Sequence, residues 1–139
     1  MTGLPRLINP MSMLFDRAGA QIALVTVELW STGIVIRLAA VVDDPELAYA
    51  FDHRAFTDWV AGGHEGRPPD TISERLLDLE IGLTDDKQHT YRLTSRSLGG
   101  AGKELRGEWH FEPAVQADAA RLDVAVNDDE NAVSVSVKL

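Results

Sequence analysis

A mainly β chain is predicted here: an antiparallel β-sandwich, immunoglobulin-like or jelly-roll-like, of seven or eight strands with one inserted helix near residues 45–61. Three observations predict it. Apolar and polar residues alternate through much of the chain, as in Leu77, Leu79, Ile81 and Leu83 against Asp78 and Glu80. Turn residues recur about every ten positions, which suits a sandwich or barrel better than a parallel sheet. Only Asp43 to Gly63 departs from this period, with apolar residues spaced by three and four.

Residues 1–12 read as an extended arm, because Pro5 and Pro10 exclude a long helix. Met11 to Phe15 begins an edge strand, and Asp16 to Ala20, with Gly19, turns the chain. The segment Gln21 to Val42 then organises the rest. It is two runs of β-branched and aliphatic residues broken by Trp30-Ser31-Thr32-Gly33. Paired as a hairpin with Leu29 opposite Ile34, the runs join two apolar faces. One carries Ala23, Val25, Val27 and Leu29, and the other Ile34, Ile36, Leu38 and Ala40. Thr26 then faces Arg37 on the wetter side. A three-residue loop would set Val27 against Arg37 on the apolar side, so the four-residue loop is preferred. The competing geometry has the two runs crossing between two sheets.

Asp44 is the expected N-cap of the helix and Pro45 its first residue. Leu47, Phe51, Ala55, Phe56, Trp59 and Val60 form the apolar stripe, expected to lie across an end or face of the sheet, and Gly62-Gly63 ends it. His64 to Thr71 reads as a loop. Further on, Leu83 is expected opposite Tyr91 and Ile81 opposite Leu93, across a turn from Asp85 to His89. Tyr91, Leu93, Ser95 and Ser97 are expected to face inward. Leu98 to Gly102, LGGAG, reads as a flexible loop. Leu105, Gly107, Trp109 and Phe111 share the inward face of the next strand, which Pro113 ends. Leu122, Val124 and Val126 then pair with Val133, Val135 and Val137 across NDDENA.

The succession STGIVIRL, LDLEIGLTDDKQHTYRL, LGGAGKELRGEWHF followed by a proline, and RLDVAV resembles a group of uncharacterised actinobacterial β-sandwich proteins. The resemblance covers roughly residues 21 to 127. It implies a fold and carries no catalytic residues.

A chain of 139 residues is expected to form one domain with a real core. Its 13 basic and 22 acidic residues give a net charge of −9, which repels phosphate backbones and anionic membranes. Neither nucleic acid nor membrane is therefore an expected partner. Cysteine is absent, which excludes disulfides, thiolate metal sites and a cysteine nucleophile, and fits a cytoplasmic location. The first twenty residues lack a signal peptide's layout, and no run approaches the ~20 apolar residues of a membrane span.

The acidic turns Asp43-Asp44, Asp85-Asp86 and Asp128-Asp129-Glu130 are the candidate hard-oxygen ligands for calcium; the plainer reading is that aspartate suits turns. Asp52, His53, His64 and Glu65 flank the helix and could hold zinc only by converging, whereas exposed or capping histidines are commonplace. LGGAGKE fails as a phosphate loop: Ser97 stands where the first glycine belongs, Glu104 follows Lys103, and no helix follows. No serine sits in a nucleophile elbow. Trp30, Trp59 and Trp109 could stack on sugars, with Glu108 and Glu112 beside Trp109. Trp109, however, is in phase with core residues, which leaves Trp30 at a hairpin tip as the principal contact candidate.

The expected function is a non-catalytic protein-interaction or accessory module without a cofactor. It would bind a protein partner or self-associate as a homodimer through an edge strand, AVSVSVKL being the natural edge. The alternatives are a calcium- or carbohydrate-binding sandwich and a small enzyme whose site carries no recognisable motif.

Overall fold

The computed structural model describes residues 3–17, 20–63, 66–69, 77–101 and 104–139. The elements are β1 (Arg6–Ile8), β2 (Ser12–Arg17), β3 (Ala20–Leu29), β4 (Ile34–Val42), α1 (Pro45–Ala61), β5 (Glu80–Asp85), β6 (Thr90–Ala101), β7 (Glu104–Glu112), β8 (Arg121–Asn127) and β9 (Ala132–Lys138). All nine strands belong to one antiparallel sheet in the order β1-β3-β4-β7-β6-β5-β8-β9, with β2 beside β1 on the same edge of β3. The sheet curls until it is nearly closed and barrel-like. One core takes Ile22, Leu24 and Ile36 from its first half and Leu83, Leu122 and Val124 from its second. Among the described residues no helix is long and apolar enough to cross a membrane.

The β3–β4 hairpin has the expected register: Leu29 pairs with Ile34 and Thr26 with Arg37. Its inward face differs in one half. A bulge between Leu24 and Thr26 shifts the phase, so Ile22 and Leu24 enter the core before it and Val27 and Leu29 after it. Ala23, expected inward, is buried but stands outside the core cluster, and Val25 is half-buried. The supposed arm is also more ordered than expected. Residues 6–8 pair with Val27–Leu29 and Ser12 opens β2, so both segments lie along β3. Asp16 and Arg17 belong to β2 and Ala20 to β3, which shortens the turn; residues 18 and 19 lie outside the described residues.

The helix has its expected bounds. Asp44 Oδ1 accepts the Glu46 N–H at 3.1 Å, and Gly62 N–H reaches the Asp58 carbonyl at 3.0 Å. Of its stripe, Phe56 is 55% exposed and Val60 40%, Ala55 and Trp59 are half-buried, and the Leu47 and Phe51 side chains lie outside what is described; no described helix side chain joins the core. Of the loop expected at 64–71, residues 66–69 are described.

Strand β6 departs most from expectation. It pairs with β5 only at Leu83–Tyr91 and Thr84–Thr90, then continues along β7 with a bulge between Leu93 and Ser95. Ile81 and Leu93 are therefore not partners, and Leu93, Ser95 and Ser97 are exposed. Leu98 to Ala101, expected as a loop, is strand: Leu98 pairs with Gly107 and Ala101 with Glu104. Gly102 and Lys103 lie outside the described residues. Strands β5, β7 and β8 bury the faces expected of them; on β9 Val137 is buried while Val133 and Val135 are half-buried, and Val124 pairs with Val135 as foreseen.

Trp109 is the largest fully buried side chain, and its indole N–H has no hydrogen-bond partner among the described residues. Its ring lies over Gly107, where a Cβ would come within 2.6 Å of ring carbons Cη2 and Cζ3. Gly33 serves a backbone approach instead: a Cβ there would sit 2.4 Å from the Phe111 carbonyl oxygen.

The topology has two ends. The 30–33 loop, the 86–89 turn and the 113–120 connection meet at one. The start of α1 and the 128–131 turn lie at the other.

Candidate functional site

The acidic turns are best understood from their hydrogen bonds. The Asp85 carboxylate is fully enclosed. It accepts the Tyr91 hydroxyl at 2.7 Å, His89 Nδ1 at 2.8 Å and the backbone N–H groups of Lys87 and His89 at 2.9 and 3.0 Å. Burial opposes its ionisation, but these four donors outweigh burial and hold its pKa at about 2. Burial, helped by the Asp85 charge, pushes the Tyr91 hydroxyl up to about 12, against the hydrogen bond from the Gln116 N–H. Asp86 Oδ1 accepts the Ala120 and Arg121 N–H groups at 2.9 and 3.2 Å, and the Ala120 bond leads in lowering its pKa. The pair thus fastens the 113–120 connection to the β5–β6 turn.

A folded pKa depressed below the unfolded value near 3.9 contributes stability above that value and loses it as pH falls toward 2. Asp85→Asn should therefore lower the melting temperature at pH 7 and flatten the loss of stability between pH ~4 and ~2. Thermal scans across pH check this; an unaltered acid limb would contradict the assignment.

At the opposite end, Asp128 Oδ1 accepts the Glu130 and Asn131 N–H groups at 2.8 and 2.5 Å, closing the β8–β9 turn. Asp44 caps α1, while Asp43 and Asp129 are exposed. The strand β8 separates Asp85-Asp86 from Asp128-Asp129 by most of its seven residues, roughly 20 Å. Among the described residues no three His, Asp or Glu side chains are placed to hold a metal ion. His53 is exposed on α1, and His64 and Glu65 lie outside the described residues.

Trp30 marks a different kind of place. Its backbone N–H closes the loop on the Gly33 carbonyl at 2.9 Å, and its indole Nε1 donates back to Glu28 Oε1 at 3.0 Å. The ring, expected exposed at a tip, is half-buried against β3. Glu28, only 8% exposed, also accepts Arg37 Nε at 2.5 Å. Arg37 Nη1 donates to Glu108 Oε1, and Glu108 Oε2 contacts His110 Nε2 at 3.2 Å. Trp30, Glu28, Arg37, Glu108 and His110 thus form one chain across β3, β4 and β7. Cross-strand register makes it possible: Glu28, Val35 and His110 stand in one row across β3, β4 and β7, and Thr26, Arg37 and Glu108 in another.

The bond from Glu28 leads in raising the Arg37 pKa, with Glu108 adding to it against burial. Burial pushes Glu108 up, but His110 and Arg37 together hold it below the usual carboxylate range. Trp30, Glu28, Arg37 and His110 line a groove of about 290 Å³ that also takes in Thr32 and Glu112. Thr32 and Glu112 are shared with a neighbouring cleft of about 620 Å³ lined by Tyr91, Arg92 and Pro113, which follows a cis Glu112–Pro113 bond.

The groove presents an indole face, hydroxyls and carboxylates around a fixed guanidinium. His110 Nδ1 and Arg37 Nη2 are not used in the chain of contacts. Such a set can hold a polar ligand by hydrogen bonds and charge. Of the sequence candidates Trp30 and Glu112 belong to it. Glu28, Arg37 and His110 were passed over, although an arginine inside the apolar run IVIRLAAVV was a signal. Glu108 and Glu112 were read as carboxylates flanking Trp109 in a sugar-binding pattern, whereas Trp109 is buried in the core. No protein-family model, curated protein or solved structure matches the chain.

Proposed function

We propose that the protein is a non-catalytic interaction module whose recognition surface is the Trp30 groove. Its ligand is a polar segment of a partner protein carrying a cationic side chain. The observation that carries this reading is the half-buried chain Trp30–Glu28–Arg37–Glu108–His110. It fixes an aromatic face beside carboxylates before any ligand arrives, which lowers the ordering cost of binding. Glu28 and Glu112 outnumber Arg37 among the residues lining the groove, and Glu108 also pairs with Arg37, so the local field favours a cation. The scaffold is read as a two-layer sandwich, β1 to β4 with β6 and β7 against β5, β8 and β9. The short β5–β6 ladder is the hinge between layers. A cytoplasmic location belongs to the same reading.

Isothermal titration with short lysine- and arginine-bearing peptides tests it. Binding to the wild type should weaken at least ~10-fold in Trp30→Ala and fall with added salt. Equal affinity of the two proteins, or no heat with any cationic peptide, would refute it. A second reading has its own support: a half-exposed indole beside Arg37, Thr32 and Glu112 also suits a carbohydrate. Binding of neutral oligosaccharides without salt dependence would favour that one.

A further inference from the structure

The free edges of the sheet differ sharply. Strand β9 shows Ala132, Ser134, Ser136 and Lys138 to solvent, with Val133 and Val135 half-covered. Lys138 on this edge discourages pairing with another chain. The other edge, made by β1 and β2 along β3, is the reverse. Leu4 is 98% exposed, Leu7 56%, Met11 65% and Met13 58%. These are half of the exposed large apolar side chains among the described residues, gathered within ten positions.

Charge is divided the same way. Residues 1–42 hold three arginines and two acids, net +1, whereas residues 43–139 hold ten basic and twenty acidic side chains, net −10. Two copies of so acidic a molecule repel each other over most of their surfaces, and least across β1 to β4.

We propose that the β1–β2 edge is the interface through which two copies of this chain pair, β2 against β2 about a two-fold axis. Antiparallel self-pairing of Ser12–Arg17 sets Leu14 against Phe15 at the centre and Asp16 against Met13 of the second copy. The charged end of each strand meets the uncharged end of the other, so no like charges face one another. Pairing covers Met13 and satisfies backbone groups that β3 does not reach. Leu4 and Leu7 lie on the flank of the same contact. The occupant is a second copy because the edge is near-neutral, apolar and self-complementary.

Sedimentation equilibrium of the full chain tests this independently of whatever the groove binds. The wild type should show a concentration-dependent monomer–dimer equilibrium. Met13→Lys, at an exposed position that tolerates lysine, should weaken it at least ~10-fold while leaving the circular dichroism unchanged. Ser134→Lys on β9 should leave the dimer intact. A wild type that stays monomeric at the highest attainable concentration overturns the proposal. So does a dimer insensitive to Met13→Lys, or one disrupted only by Ser134→Lys.

Discussion

Alanine at position 107 should destabilise the protein by about 3 kcal/mol, read as a lower denaturant midpoint at unchanged slope. The added methyl would meet Trp109 Cη2 and Cζ3 at 2.6 Å and Leu98 Cδ2 at 3.0 Å. Leu98 can rotate away. The indole cannot, being a rigid, wholly buried ring on the same strand, in a row with Ile36 on β4. Either the ring leaves its rotamer or β7 separates from β4 and β6, and both disrupt the centre of the sheet. Gly107→Ala combined with Trp109→Leu should cost less than the two single changes together, because the second removes the clash the first creates. A Gly107→Ala protein within ~0.5 kcal/mol of wild type would show that the ring does not occupy that place.

The second large effect is expected at Arg37. Replacement by methionine keeps much of the aliphatic stem and removes the cation held between Glu28 and Glu108. Glu28 would remain buried with only the Trp30 indole as a named partner. Breaking a fully buried pair costs several kcal/mol; Arg37 is 40% exposed, so solvent screening reduces the expected loss to about 2 kcal/mol. The effect has a pH signature. The folded pKa of Glu108 is depressed, so its pairing contributes above the unfolded value near 4.3 and fades as pH falls through the folded one. The stability gap between wild type and Arg37→Met should therefore hold from pH 7 down to about 4.3 and narrow as pH falls below that. A constant gap would mean that packing, not charge, is what Arg37 supplies.

Much of the fold was legible because one face of most strands is buried. Register follows when a one-residue slip would expose a whole apolar face, and Leu29 opposite Ile34 is such a case. The helix was legible from its ends, Asp44-Pro45 and Gly62-Gly63. The bulge at Val25 was not, because Leu24 and Val25 are both aliphatic and either could face the core. LGGAG misled for a physical reason: glycine is poor in strands alone, but β7 supplies the ladder that holds Leu98 to Ala101 in one. Exposed Phe56 and Val60 in the apolar stripe of α1 show the limit of periodicity, which marks a face without saying what covers it.

The groove was the least legible part. Glu28, Arg37 and Glu108 lie on three strands, and their meeting depends on the β4–β7 register, which joins segments about seventy residues apart. No local pattern encodes that pairing. The acidic turns drew attention because aspartates cluster in sequence, yet the Asp85, Asp86 and Asp128 carboxylates are taken up by backbone N–H groups.

The most direct test of the central claim is an NMR map of where a cationic peptide binds. Titrated into labelled protein, it should move the Trp30 indole N–H resonance first, together with the amides of Thr32, Arg37, His110 and Glu112, and leave those of β8 and β9 in place. Shifts confined to residues outside the groove, with Trp30 unmoved, would contradict the account.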